Sequence, residues 1–424
     1  LSHEHAFASN RQEQRLLRHR FEMAPWIAMA LMLAAVSVTT QSSAQSWAFG
    51  PEFESRVGYV SNIDLDERDG EDAMRVTGAV GAVAERRTDV QVIRLRGQAG
   101  YSSYLGSDDD LGSETFQQVQ GRSQFVRENT TWQLDGRAYR DRNTERNEQT
   151  IDLTDPDDSL DAGSDIDTRI SRETITRYRL FLTPSVSHDL SDRLSVGAGY
   201  IGRYLGFEGS PPGYVDSWNH EVEVRTDYAL TQRDTAGVSI IGGQFRPKTG
   251  GNDQDLYGVS LNYRRFLTER SGLIASAGVR RLEPAGSADD LDSSTGGVGS
   301  LQLNTRGEDW VGAITAERRL LPTLSGVLNE TDQILLSATH DLGPRWQASI
   351  LGRGFTTRAV GRPTPVDTTR RFVSVAPGVR YRLTPEWKLT VDYEFRHRDR
   401  EGIPGTANSN LVYLGIQYTP LLGP

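Results

Sequence analysis

The sequence predicts an all-β fold: a closed, antiparallel, up-and-down transmembrane β-barrel of about 18 strands, with short periplasmic turns and long extracellular loops. Three observations carry that expectation. Apolar and polar side chains alternate through segments of about ten residues; the connections between the segments sort strictly into short and long; and the chain opens on what reads as an export signal.

The signal comes first in the chain. A basic stretch with Arg11, Arg15, Arg18 and Arg20 is followed by the apolar run PWIAMALMLAAVSV from Pro25 to Val38 and then by the small, polar TTQSSA. Those are the three parts of a secretory signal peptide, too short in its apolar part for a comfortable membrane-spanning helix. Ser42 and Ala44 stand where signal peptidase reads small residues, so residues 1–44 are expected to be cleaved and residues 45–424 to form the barrel. The 424-residue chain carries a formal charge of −10, and losing four Arg and three Glu leaves −11.

From Phe53 onward almost nothing recurs at helical spacing. WKLTVDYEF is the clearest alternating segment: Trp387, Leu389, Val391, Tyr393 and Phe395 fall on one face of a strand, and Lys388, Thr390, Asp392 and Glu394 on the other. From Trp218 to Leu230, Val222, Val224 and Tyr228 oppose Glu221, Glu223, Arg225 and Asp227. Tyr257, Val259, Leu261 and Tyr263 oppose Gly258, Ser260, Asn262 and Arg264, and near the end of the chain Val412, Leu414, Ile416 and Tyr418 share a side. The pattern is weaker at 297–305 and 331–340.

Eight short turns separate these strands: 85–89, 127–131, 188–193, 230–234, 267–272, 305–309, 340–345 and 383–387. Longer connectors lie near 63–73, 105–114, 144–171, 207–217, 247–254, 284–296, 321–330, 359–369 and 399–408. Eight short turns between nine hairpins give the strand count. A propeller also repeats at about forty residues, but its connectors do not sort by parity, which favours an up-and-down barrel.

The bilayer follows from the faces. A spanning strand needs only 9–11 tilted residues, every second one apolar, so low overall hydrophobicity is compatible with crossing, and in hydrocarbon the sheet must close so that every backbone group is paired. Trp132, Trp218, Trp310, Trp346 and Trp387 all lie near strand ends, the place of interfacial girdles.

FESRVGYVSNIDLDERDGED, RVTGAVGAVAERRTDVQVIRLRGQAGYSSYL and FLTPSVSHDLSDRLSVGAGYIGRY together resemble the beta-barrel porin type 2 family of Gram-negative outer-membrane proteins, some of them associated with exopolysaccharide and PEP-CTERM loci. The resemblance covers nearly all of residues 45–424. It implies an outer-membrane location, a porin-like or exopolysaccharide-associated role, and lipid, lipopolysaccharide and the barrel-assembly machinery as partners. One departure is that the chain runs on past Tyr418 as TPLLGP, where such barrels commonly end in an aromatic residue.

The inward set is expected to include Glu221, Glu223, Arg225, Asp227, Asn262, Arg264, Lys388, Asp392, Glu394 and Arg396. Both signs occur, which suggests a hydrated polar lumen and not a single-sign filter, with the charges paired across strands and polysaccharide or small polar solutes as candidate cargo. The aspartate-rich connector IDLTDPDDSLDAGSDID invites a calcium reading, but Asp158, Asp161 and Gly163 do not fall at the positions an EF-hand loop needs. It reads as a solvated outer loop.

Composition excludes other classes. With no cysteine there is no disulfide framework, thiolate zinc site, iron–sulfur cluster or cysteine nucleophile. The acidic balance argues against nucleic-acid binding. GxSxG, HExxH and phosphate-loop spacings are absent near the histidines, so neither an enzyme nor a cofactor is expected. His188 and His340 recur at matching positions in HDLSDR and HDLGPR, which is turn chemistry. Two other readings stay open: a non-conducting scaffold barrel in an envelope polysaccharide assembly, and a soluble periplasmic β-protein.

Overall fold

The computed structural model describes residues 47–63, 65, 70–106, 113–143, 175–209, 214–248, 253–285, 293–322, 328–359, 369–401 and 405–420. The expected signal peptide and the aspartate-rich connector lie outside these residues. The strands are β1 (Ala48–Val60), β2 (Ala73–Arg87), β3 (Gln91–Leu105), β4 (Ser113–Arg127), β5 (Thr130–Asn143), β6 (Ile175–Asp189), β7 (Leu194–Phe207), β8 (Ser217–Ala229) and β9 (Asp234–Pro247). They continue as β10 (Gln254–Thr268), β11 (Ser271–Pro284), β12 (Ser294–Arg306), β13 (Trp310–Pro322), β14 (Leu328–Asp341), β15 (Trp346–Ala359), β16 (Arg370–Arg382), β17 (Trp387–Arg400) and β18 (Thr406–Tyr418).

Each strand pairs antiparallel with its neighbours in sequence, and β1 pairs with β18, so the sheet is one closed up-and-down barrel of 18 strands. The weakly patterned segments at 297–305 and 331–340 are the strands β12 and β14.

The short turns gather at one rim and share a chemistry. Thr231 Oγ1 accepts from the Arg233 and Asp234 N–H groups at 3.1 and 3.0 Å, and Ser191 and Thr384 do the same in their turns. The leucine before each of these turns closes the loop through its own N–H: Leu230 to the Asp234 carbonyl, Leu190 to Leu194 and Leu383 to Trp387. A Ser/Thr hydroxyl thus stands in for backbone partners the tight turn leaves unmade. Glu128, at φ 45, takes the left-handed residue of the two-residue β4–β5 turn.

Alternation gives the wall two faces. On β8, Val222, Val224 and Tyr228 are half exposed on the outside, while Ser217, Asn219 and Glu221 are buried on the inside. The same outer face carries Ile240, Leu261, Val279, Leu301, Ile334, Val391 and Leu414 around the circumference, each between 51% and 65% exposed. A soluble protein rarely exposes so large a continuous apolar surface. From Trp218 to Tyr228 is ten residues, which at ~3.3 Å per residue and a tilt of ~40° is about 25 Å, the height of the apolar band of an outer-membrane barrel.

Candidate functional site

The interior face is the part of this wall that chemistry can use, and register decides which side chains reach it. Glu221, Glu223, Arg225 and Asp227 lie on the inner face of β8, Asn262 and Arg264 on that of β10, and Lys388, Asp392, Glu394 and Arg396 on that of β17. They form no single site. Arg225 reaches Asp227 at 3.6 Å and Arg396 reaches Glu394 at 2.7 Å, pairs within one strand.

Glu221 is the exception, because it joins strands that are not neighbours. It accepts from Asn219 Nδ2 at 2.9 Å and meets Arg203 of β7 at 3.5 Å and Arg280 of β11 at 3.2 Å. To meet Arg280 it spans β9 and β10, and the intervening inner positions there are Gly243 and Gly258. A Cβ on Gly243 would come within 3.0 Å of Glu221 Cγ, and one on Gly258 within 3.0 Å of Arg280 Cγ. Gly197 leaves room for Arg225 in the same way, whereas Gly199 has only ordinary neighbours.

The lumen is not the evenly mixed surface that the clearest strands suggest. On β16 and β17 the inner positions include Arg370, Arg380, Arg382, Lys388, Arg396, Arg398 and Arg400, against only Asp392 and Glu394 among the described residues. Arg75, Arg96, Arg177 and Arg179 extend the basic arc through β2, β3 and β6. Asp141 takes Arg177 Nε at 2.8 Å and Arg179 Nη2 at 2.8 Å, and Arg96 pairs with Glu52 at 2.7 Å. The inner face of β8 carries three acids to one arginine, and the clearest stretch of β17, Trp387 to Phe395, stops short of Arg398 and Arg400, which is why a reading from these segments misses the arc. A signal was present: arginine recurring at every second position in RYR (177–179), RYR (380–382) and RHRDR (396–400).

Two further features mark the interior. Near the short-turn rim a cavity of about 850 Å³ is lined by Gln347, Arg380, Arg382 and Lys388, with Asp309, His340 and Asp341 at its edge. Towards the long-loop rim the inner wall turns apolar: Ile241, Phe245, Leu256 and Leu282 are buried together, Phe355 stacks on Phe372 at 5.0 Å, and Arg353 lies over Phe355 at 5.4 Å.

The five tryptophans all project outward. Trp132, Trp310, Trp346 and Trp387 stand near the short-turn rim, where Trp346 packs on Tyr381 at 4.6 Å and Trp387 on Tyr418 at 5.1 Å. Trp218 is at the opposite rim, level with the outward Tyr59, Tyr101, Tyr257 and Tyr393. His188 bonds Thr130 in one turn and His340 the Asp309 carbonyl in another; His220 bonds Tyr200 and His397 Asn408. No group of His, Asp and Glu among the described residues has metal-ligand geometry.

No protein-family model matches the chain, and no curated protein matches it in sequence. Among solved structures, a BenF-like porin from Pseudomonas fluorescens Pf-5 is similar at 9% identity and a TM-score of 0.47, covering 88% of this chain and 99% of that one. Pseudomonas aeruginosa OccK2 (OpdF) is similar at 12% identity and 0.46, covering 88% and 98%, and Acinetobacter baumannii OccAB4 at 11% and 0.45, covering 89% and 98%.

Proposed function

We propose that the chain is a porin-like pore in the outer membrane of a Gram-negative bacterium, passing small polar solutes and preferring anions. The observation that carries the reading is the basic arc on the inner face of a closed barrel whose outer face is an apolar band. A barrel of 18 strands is wide enough for water-filled passage. An anion at ~7 Å from one guanidinium gains about 0.6 kcal/mol in water, roughly halved by physiological salt. Four such groups along the path amount to about 1 kcal/mol, with the opposite sign for a cation, so an anion preference of about tenfold or more follows.

Anionic saccharides fit the same chemistry, and an exopolysaccharide association belongs to this proposal on that ground. Lipid and lipopolysaccharide contact the apolar band in this reading, and the barrel-assembly machinery inserts it. The apolar packing near the long-loop rim favours one alternative, a non-conducting scaffold barrel.

Planar-bilayer recording of the refolded protein in a potassium chloride gradient tests the proposal. The expected reversal potential is that of a chloride-preferring pore, and replacing Arg380 and Arg382 together with Gln moves it towards zero. A folded, heat-modifiable barrel with no conductance overturns the pore and leaves the scaffold; a cation-preferring pore overturns the role of the arc. Recovery of the protein in an osmotic-shock fraction overturns the membrane reading.

A further inference from the structure

The seam between β12 and β13 is incomplete. Pairing runs for eight residues, from Arg306 opposite Val311 to Gly299 opposite Arg318, and stops, although β12 continues to Ser294 and β13 to Pro322. Apart from the β1–β18 seam, every other seam in the barrel carries at least eleven pairs; for example, β11–β12 runs on to Leu282 opposite Ser294 and β13–β14 to Pro322 opposite Leu328. By height above Trp310 the gap lies at the outer rim of the apolar band.

The side chains beyond the gap are on the wrong side. On β13 and β14 the even positions face outward, as Ile314, Ile334 and Leu336 do, and the odd ones inward, as the buried Thr315, Gln333 and Leu335 do. Leu320 and Leu328 are even, yet they are 6% and 2% exposed and share a cluster with Ile241, Phe245, Leu256 and Leu282, which point into the lumen. Glu330, also even, approaches to 3.7 Å of where a Cβ would stand on the inward Gly296. Around Leu320, Leu328 and Glu330 the described part of the β13–β14 pair has therefore turned in from β12, its outer face against the inner surface of its neighbours, while β14 stays paired with β15 as far as Asn329 opposite Ala359.

The sequence allows its return as far as Leu321, Pro322 having no N–H to give to the ladder and standing at the strand's end. Extending the register beyond Gly299–Arg318 sets Val298 opposite Arg319 and Gly297 opposite Leu320, with Leu320 then in the outward apolar series. Gly296 and Gly297 put no side chain in the way, and the unmatched edge of β12 offers backbone groups to an incoming strand. We infer that the free β12 edge is the docking site for residues 319–321 of β13, and that the upper end of β13, with the end of β14 paired to it, is a two-position gate: folded in, it narrows the mouth; paired with β12, it completes the wall and widens it.

The absence of cysteine lets disulfides test each position. G296C/E330C joins residues that meet only when the hairpin is inside. G297C/L320C joins residues that lie on opposite sides of β12 in that position and side by side once the wall is complete. Both pairs are expected to cross-link in the folded barrel, G297C/L320C by oxidation and G296C/E330C through a short reducible bis-methanethiosulfonate, since it is the Glu330 carboxylate and not its Cβ that reaches Gly296. The first holds conductance at its lower level; the second raises it about twofold, as two strand-widths of sheet leave the lumen, and reduction reverses both. Failure of G297C/L320C to cross-link when G296C/E330C joins overturns the gate, as does cross-linking with unchanged conductance in a conducting barrel.

The cross-linking arm rests on the barrel alone and the conductance arm on the pore reading, so failure of one is distinguishable from failure of the other. If G297C/L320C does not fold, a fluorophore on Leu320→Cys replaces it. Partial quenching by nitroxide-labelled lipid is expected, and no quenching overturns the gate.

Discussion

Glu221 ties β7, β8 and β11 together from inside, and its carboxylate is nearly inaccessible. Removing one partner of such a buried set leaves the remaining charges uncompensated, so Glu221→Ala is expected to lower stability by about 3 kcal/mol or more, read from urea unfolding in bilayers. Gly243→Ala should destabilise through the same carboxylate, since its Cβ would also stand 2.6 Å from the His220 carbonyl. At the long-loop rim Asp72 accepts from Tyr59 Oη at 2.5 Å and from the Asn62 N–H at 2.9 Å. The Tyr59 hydrogen bond, ahead of the Asn62 one, holds the Asp72 carboxyl below its ordinary value. A depressed carboxylate contributes stability above its unfolded pKa of about 4 and loses it as pH falls through the folded one. The protection factor of the Asn62 amide, its exchange measured against the intrinsic rate at each pH, should accordingly fall on acidification below about pH 4, and Asp72→Asn should remove that dependence.

A strand of this wall is two surfaces printed on alternate residues, and neighbouring positions should respond oppositely to one substitution. Leu261 is 65% exposed on the apolar outer face, and in the proposed bilayer Leu261→Arg is expected to cost about 2–4 kcal/mol. Asn262→Arg, one residue on and facing the lumen, should cost no more than about 1 kcal/mol, the worth of the Asn262 hydrogen bond to Ser239, and strengthen anion preference; bilayer unfolding and reversal potentials separate the two. That alternation made β8, β10, β17 and β18 readable from sequence. β12 was harder to read because Gly296, Gly297 and Gly299 contribute no side chain to either face, and β4 because Gln117 and Ser123 on its outer side blur the contrast. Four of the eight short turns share a Leu-Thr or Leu-Ser opening whose hydroxyl caps them, and Thr231→Ala is expected to cost about 1 kcal/mol.

Across the whole molecule the charge is divided between compartments. The chain carries −10 in sum, while the described inner positions of β16 and β17 are strongly basic. Net charge could not reveal this, because it averages the lumen with loops and rims; only the parity of every strand separates them. The position of the upper β13–β14 hairpin was equally hidden, since Leu320 fits the outward series whether or not β13 is paired. Strand count, closure and the sorting of connectors were legible because each is a local repeat.

The pairing of β1 with β18 along eight residues makes the wall a ring. A ring has no first member. If a linker joined Ala48 to Tyr418 across their shared rim, the chain could be opened at any of the short turns, and both new ends would emerge on that same side of the bilayer. Opened at a long connector, both would have to cross it. Such permutants would change the order in which the ribosome delivers the strands while leaving the neighbour of every strand the same, and would show how far insertion depends on the order of synthesis.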